Sequence, residues 1–164
     1  MAFIRYKTVK GKRYYQVVRN YREDGQHRQE VLAHLGVHDS IEAAMASVHR
    51  KLKTHSEQTK RLSKRAEDAE ANLRESYMDH DYFGEIPSEE QAHEDYEDLL
   101  YEWHHADAYY DGFHHTEEIL FQLQRAHRTI SYHELLSDIR EEARLARRWQ
   151  QKLDALRDIQ TTCF

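Results

Sequence analysis

The sequence predicts an α+β protein: a small three-stranded antiparallel sheet with a helix against it, followed by a long antiparallel three-helix coiled coil. Three observations predict it. The first 36 residues alternate β-branched and aromatic side chains with charged ones, between glycine-marked turns. From about residue 40 onward, apolar residues recur at alternating steps of three and four. The composition is 33% charged and 39% hydrophobic, with one proline and five glycines. That is too charged for a large globular core and too poor in Pro and Gly for a disordered tail, and it suits exposed helices with narrow apolar seams.

The strands come first. "FIRYKTV" at 3–9 alternates, and "KGK" at 10–12 supplies a tight turn. "RYYQVVRNY" at 13–21 is the second strand. "REDG" at 22–25 carries an Asp-Gly dipeptide, whose two residues tolerate positive φ and so favour a hairpin. "HRQEVLAHL" at 27–35 is the third strand, closed by Gly36. Such a meander is marginal alone and needs a helix on one face.

That helix is predicted over about 40–77. Ser40 caps it, and Ile41, Met45, Val48, Leu52, His55, Thr59, Leu62, Ala66, Ala69 and Leu73 form its seam. Ser88 with Gln91 forms a capping box that opens a second helix, about 88–128. Its seam runs Tyr96, Leu99, Trp103, Ala106, Tyr110, Phe113, Leu120 and Leu123, with a bend or short break expected at Gly112. Ser131 with Glu134 reads as another capping box, opening a third helix over about 131–160 along Leu135, Ile139, Ala143, Ala146, Trp149, Leu153 and Leu156. The expected organisation is therefore a sheet with the start of the first helix over 1–50, and a helical stalk over 51–164.

A net charge of −6 hides a division. Residues 1–65 carry +9, residues 66–118 carry −17, and residues 119–164 carry +2. Folding the helices back on one another sets Lys51–Arg65 beside roughly 100–115, and Arg140, Arg144, Arg147 and Arg148 near 112–120. The acidic middle helix then lies between two basic faces. No run reaches the ~20 apolar residues of a membrane span, and nothing reads as a signal peptide. With Cys163 as the one cysteine no internal disulfide can form, and a cytoplasmic address is expected.

The basic ribbon holds the candidate binding residues: Arg5, Lys7, Lys10, Lys12, Arg13, Arg19, Arg22 and Arg28, against Glu23, Asp24 and Glu30. Neutralising phosphates with such side chains is the first requirement of nucleic-acid binding. Arg5, Lys7, Arg13 and Arg19 share a parity, so within each strand they point the same way. Parity alone does not say which way, because Val17 and Tyr21 share it while Tyr14 and Val18 have the other.

"GKRYYQVVRNYREDGQHRQEVLAHLG" resembles the N-terminal region of DDE insertion-sequence transposases, with a Tyr-rich strand, a "YRE-Gly" turn, an "RQ" pair and a terminal "LG". The strand-strand-strand-helix order is also similar to the arm-binding domains of tyrosine recombinases. The resemblance covers about residues 5–50 and implies DNA contact by Arg13, Arg19, Arg22 and Arg28. Residues 51–164 depart from it, with neither a ribonuclease-H-like alternation of strands and helices nor room for a recombinase catalytic domain.

Elsewhere the chemistry is thin. His104, Asp107, Asp111, His114 and Glu118 step by three and four, as ligands for zinc or a di-iron pair would. Gly112 interrupts that stripe, and the third helix offers no matching Glu-x-x-His, so a solvated polar face is expected and no cofactor. No phosphate loop or nucleophile–base group is present, and an enzyme is not expected. The expectation is a non-catalytic nucleic-acid-binding or adaptor protein of a mobile element, plasmid or phage. It would bind DNA through the sheet and form a homodimer or dock a protein partner through the helices, with no membrane partner. The rival expectation is a coiled-coil scaffold with no nucleic-acid role.

Overall fold

The computed structural model describes residues 2–78, 85–105 and 112–163, and for 105 and 112–116 the backbone alone. Strands β1 (Ala2–Val9), β2 (Lys12–Glu23) and β3 (Gln26–Gly36) are followed by helices α1 (Ile41–Met78), α2 (Glu89–His105) and α3 (Gly112–Cys163). The strands form one antiparallel sheet in the order β1-β2-β3. This is the expected α+β class, sheet first and helices after.

Both turns are two residues long, and all four turn residues have positive φ: Lys10 and Gly11 at 48° and 76°, Asp24 and Gly25 at 52° and 77°. That pattern matches the right-handed twist of the strands it joins. The β2–β3 register is interrupted twice, because Tyr15 pairs with Gly36 but Gln16 with His34, and Val17 pairs with Ala33 but Val18 with Val31. Leu35 and Leu32 are the extra residues, and both pack on the helix side of the sheet. The bulges let β3 contribute more apolar side chains to one face than strict alternation allows.

The chain divides into two compact units, one of Met1–Gln58 with Glu142–Phe164, the other of Thr59–Glu141. The first, the sheet unit, has its core in Val17, Leu35, Ile41, Ala44, Val48, Leu153 and Leu156, with Ile4, Tyr15 and Leu32 packed around it. Ser40 Oγ accepts the Ala43 N–H at 3.1 Å and caps α1 as expected. The start of α1 runs antiparallel to the end of α3. His55 Nδ1 lies 2.7 Å from Glu142 Oε2, and Gln160 Nε2 donates to Glu42 Oε1 at 2.7 Å. Fully burying a leucine stabilises by about 2–3 kcal/mol, so Leu153 and Leu156 make α3 a structural part of the sheet unit. An expected boundary at residue 50 gives way to one in which the last part of α3 returns to the sheet.

In the second, helical unit, Leu62, Ala66, Leu73, Tyr77, Ala92, Ile119, Leu123, Ala126 and Thr129 are buried. The Tyr77 and Thr129 hydroxyls are 3.0 Å apart, and the Arg125 guanidinium lies 4.4 Å from the Tyr77 ring centre. Ser88 Oγ accepts the Gln91 N–H at 3.2 Å and caps α2 as expected, while the Gln91 side-chain amide donates to Asp95 Oδ1 at 2.9 Å. His133 Nε2 bonds the Pro87 carbonyl at 2.8 Å, and the Tyr96 and His127 rings are 6.2 Å apart, so α2 runs antiparallel to α3. Burial, then the Glu70 carboxylate to which it donates a hydrogen bond, raise the Tyr132 phenol above its ordinary pKa.

The expected helix limits of 88–128 and 131–160 are corrected. Described helix α2 ends at His105 and α3 runs unbroken from Gly112 through Ser131 to Cys163. Ser131 with Glu134 has the spacing of a capping box, but a cap favours a helix start without forcing one, and no Gly or Pro follows Gly112 to interrupt the helix. Leu120 and Leu123 therefore belong to α3, while Ala106 and Tyr110 lie outside the described residues and nothing is described of the Phe113 side chain. The neighbours of α1 change accordingly. Lys51 Nζ sits 4.3 Å from the Trp149 ring centre, and Arg65 lines a cavity with Ser131 and Leu135, in place of the expected 100–115 segment.

Candidate nucleic-acid interface

Residues directly opposite in a ladder share a face of the sheet. One face follows from Ile4 opposite Val17 opposite Ala33, all packed on the helices. In the same register, Thr8 opposite Arg13, Arg19 opposite Glu30, Tyr21 opposite Arg28 and Glu23 opposite Gln26 lie on that helix side. The other face carries Arg5 opposite Gln16 opposite His34, Lys7 opposite Tyr14, Val9 opposite Lys12, Asn20 opposite Gln29 and Arg22 opposite His27. The parity shared by Arg5, Lys7, Arg13 and Arg19 thus means opposite faces in β1 and β2, because the register pairs odd β1 positions with even β2 ones. Lys10 is in the β1–β2 turn.

The register also sorts the charges. Glu23 and Glu30 are on the helix side, each with an arginine: Arg28 reaches Glu23 at 2.8 Å and Arg19 reaches Glu30 at 2.7 Å. Arg13 lies over the Tyr6 ring, 4.9 Å from its centre. The outward face holds Arg5, Lys7, Lys12 and Arg22 and no carboxylate in any row of the ladder. Of the eight basic residues singled out in the sequence, four are gathered there, three lie on the helix side and one is in a turn.

The centre of the outward face carries a buried residue beneath a set of side-chain hydrogen bonds. Val18, between Phe3 and Val31 in the ladder, is fully buried although it points away from the helices. Phe3 and Val31 flank it in its own row, and Arg5 Nη1 donates to Gln29 Oε1 at 2.6 Å across that row. Gln16 Nε2 and His34 Nδ1 are 3.0 Å apart in the adjoining row. Guanidinium, amides and imidazole thus form a polar grid over an apolar floor, with donors facing solvent.

Asn20, Gln29, His27 and His34 were not among the sequence candidates, yet a signal for the first three was present. A two-residue Asp24-Gly25 turn sets Glu23 opposite Gln26, so every pair from 19 with 30 to 23 with 26 follows by counting. His34 lies beyond the bulges, which counting does not reveal.

The second candidate, the metal stripe, does not gather in what is described. Asp107 and Asp111 lie outside the described residues, as does the His114 side chain. Among the described residues no group of three or more His, Cys, Asp or Glu is placed to hold a metal ion. No described helix is long and apolar enough to cross a membrane.

Comparison with known proteins bears on the sheet. Residues 4–68, about two-fifths of the chain, match the family model of the IS1634 family transposase N-terminal domain. The match spans the sheet from Ile4 onward and the first 28 residues of α1, in agreement with the resemblance to insertion-sequence transposases. No curated protein and no solved structure was found to match.

Proposed function

From the likeness of residues 4–68 to a transposase N-terminal domain, we propose that this is a non-catalytic DNA-binding protein of a mobile element, acting through the outward face of its sheet. The observation that carries the reading is the sorting of charge. Arg5, Lys7, Lys12 and Arg22 share a face without a carboxylate, while both sheet glutamates are on the helix side with arginine partners. A polyanion meets uncompensated positive charge on one face, whereas on the other, two of the three arginines are already paired with glutamates. In the helical unit, the apolar side chains of Trp103 and Leu120 are exposed, which supports a role for the helices in assembling the protein with a second copy.

The test uses the full chain, since a fragment of the first 55 residues would lack Leu153 and Leu156 from the core. Binding to a DNA duplex should weaken steeply with salt. Arg5→Ala with Lys7→Ala and Lys12→Ala should lower the slope of log affinity against log salt by about 0.9 per lost phosphate contact. Arg19→Ala with Arg28→Ala should change it less, as both are held by glutamates. Absence of binding at low salt would overturn the proposal and favour the scaffold reading. Light scattering on the same sample measures self-association separately.

A further inference from the structure

Among the described residues, β1 pairs with β2 as far as Ala2 opposite Arg19. Beyond it, β2 and β3 continue alone, with Asn20 opposite Gln29, Tyr21 opposite Arg28, Arg22 opposite His27 and Glu23 opposite Gln26. Every residue from Arg19 to Val31 is exposed, on both faces. Over the described residues the sheet therefore narrows to a two-stranded ribbon, closed by the tight Asp24-Gly25 turn.

Its width decides what it fits. Two strands are ~4.8 Å apart, so a two-stranded ribbon enters the ~12 Å major groove of B-DNA, whereas a third strand brings the sheet to the groove's limit once side chains are added. Only the part beyond Ala2 is narrow enough to enter freely. The carboxylates decide which face leads. Glu23 and Glu30 would meet the phosphate walls if the helix side led, and with the outward face leading they turn away from the bases.

The leading face carries Asn20, Gln29, Arg22 and His27. These residue types match base edges: Asn and Gln reach adenine N6 and N7, and Arg reaches guanine O6 and N7. Gln29 is already oriented. Its Oε1 accepts from Arg5 Nη1 at 2.6 Å, which fixes the plane of the amide and leaves its Nε2 hydrogens to donate. Arg22 is steadied by His27, with Nε and Nη2 at 3.3 and 3.2 Å from the imidazole Nε2.

We propose that the ribbon Arg19–Val31 enters the major groove of duplex DNA outward face first, where Arg22, Gln29 and Asn20 read bases. Arg5, Lys7 and Lys12 stay on the wider, three-stranded part and hold phosphates at the groove rim. This rests on the DNA-binding reading and adds sequence preference, its location, and a division of labour among the residues.

The experiment selects preferred duplexes from a randomised pool with the full chain, then measures affinity for the best duplex and a scrambled one at several salt concentrations. Arg22→Ala and Gln29→Ala should each lower affinity for the preferred duplex by about 5- to 100-fold and relax preference at one or two base pairs, with the scrambled duplex affected far less. Lys7→Ala and Lys12→Ala should weaken both duplexes alike and reduce the salt slope. Matching thermal melts would show that the variants fold, as expected for exposed side chains. If selection yields no preference, or the preference survives Arg22→Ala and Gln29→Ala, the ribbon does not read bases, though the sheet still binds DNA. If the unaltered chain binds no duplex at low salt, the DNA-binding reading falls with it.

Discussion

Gly25 has φ +77°, and a Cβ built there meets nothing within 4 Å. Crowding is therefore no obstacle to a side chain, and the whole cost of Gly25→Ala is that of placing an L-residue in the left-handed region, about 1–2 kcal/mol. Urea denaturation should show that loss. The adjoining Asp24, at φ 52°, already bears this strain, and Asp24→Gly should relieve part of it. Because the turn sets the pairing of Asn20 with Gln29 and Arg22 with His27, the first substitution should also loosen the proposed sequence preference without touching a side chain of the outward face.

At the scale of elements, two serines with the same motif behave differently. Ser88 caps α2 through its bond to the Gln91 N–H, while Ser131 lies inside α3. Ser88→Ala should cost about 1 kcal/mol, and Ser131→Ala should be neutral or slightly stabilising, alanine being the better former of a helix interior. Equal losses in thermal melts would place a helix start at Ser131 and overturn the unbroken α3. The contrast shows what sequence reading can reach. Strands, turns and the caps at Ser40 and Ser88 are local, set by side chains within a few residues, and they were legible. Ser131 was misread because a capping box is permissive, and only a nearby breaker turns it into a boundary. The bulges at Leu32 and Leu35 answer to the helices beneath them, a long-range demand that strand alternation does not reveal. The charge sorting of the sheet was half legible: the turns set which residues lie opposite, but not which face the helices cover.

For the whole molecule, the core of the sheet unit joins residues far apart in sequence. Val17 and Leu35, Ile41 and Val48, and Leu153 and Leu156 share one buried cluster. Truncation after Lys152 would strip two fully buried leucines, about 4–6 kcal/mol of burial in a protein whose total stability is of order 5–15 kcal/mol. The sheet should then lose its strand signal in far-ultraviolet circular dichroism, and DNA binding should vanish with it. Retention of both by the truncated chain would mean that α1 alone supports the sheet.

That closure has a temporal side. A ribosome adds about 5–20 residues per second, so some 5–20 s separate the synthesis of Val48 from that of Leu153. Through that interval the emerging strands have only half their hydrophobic floor and no fixed ribbon to offer. The nascent sheet unit therefore completes its core late, when Leu153 and Leu156 seat, and a messenger broken before those codons yields a polypeptide whose sheet lacks that support.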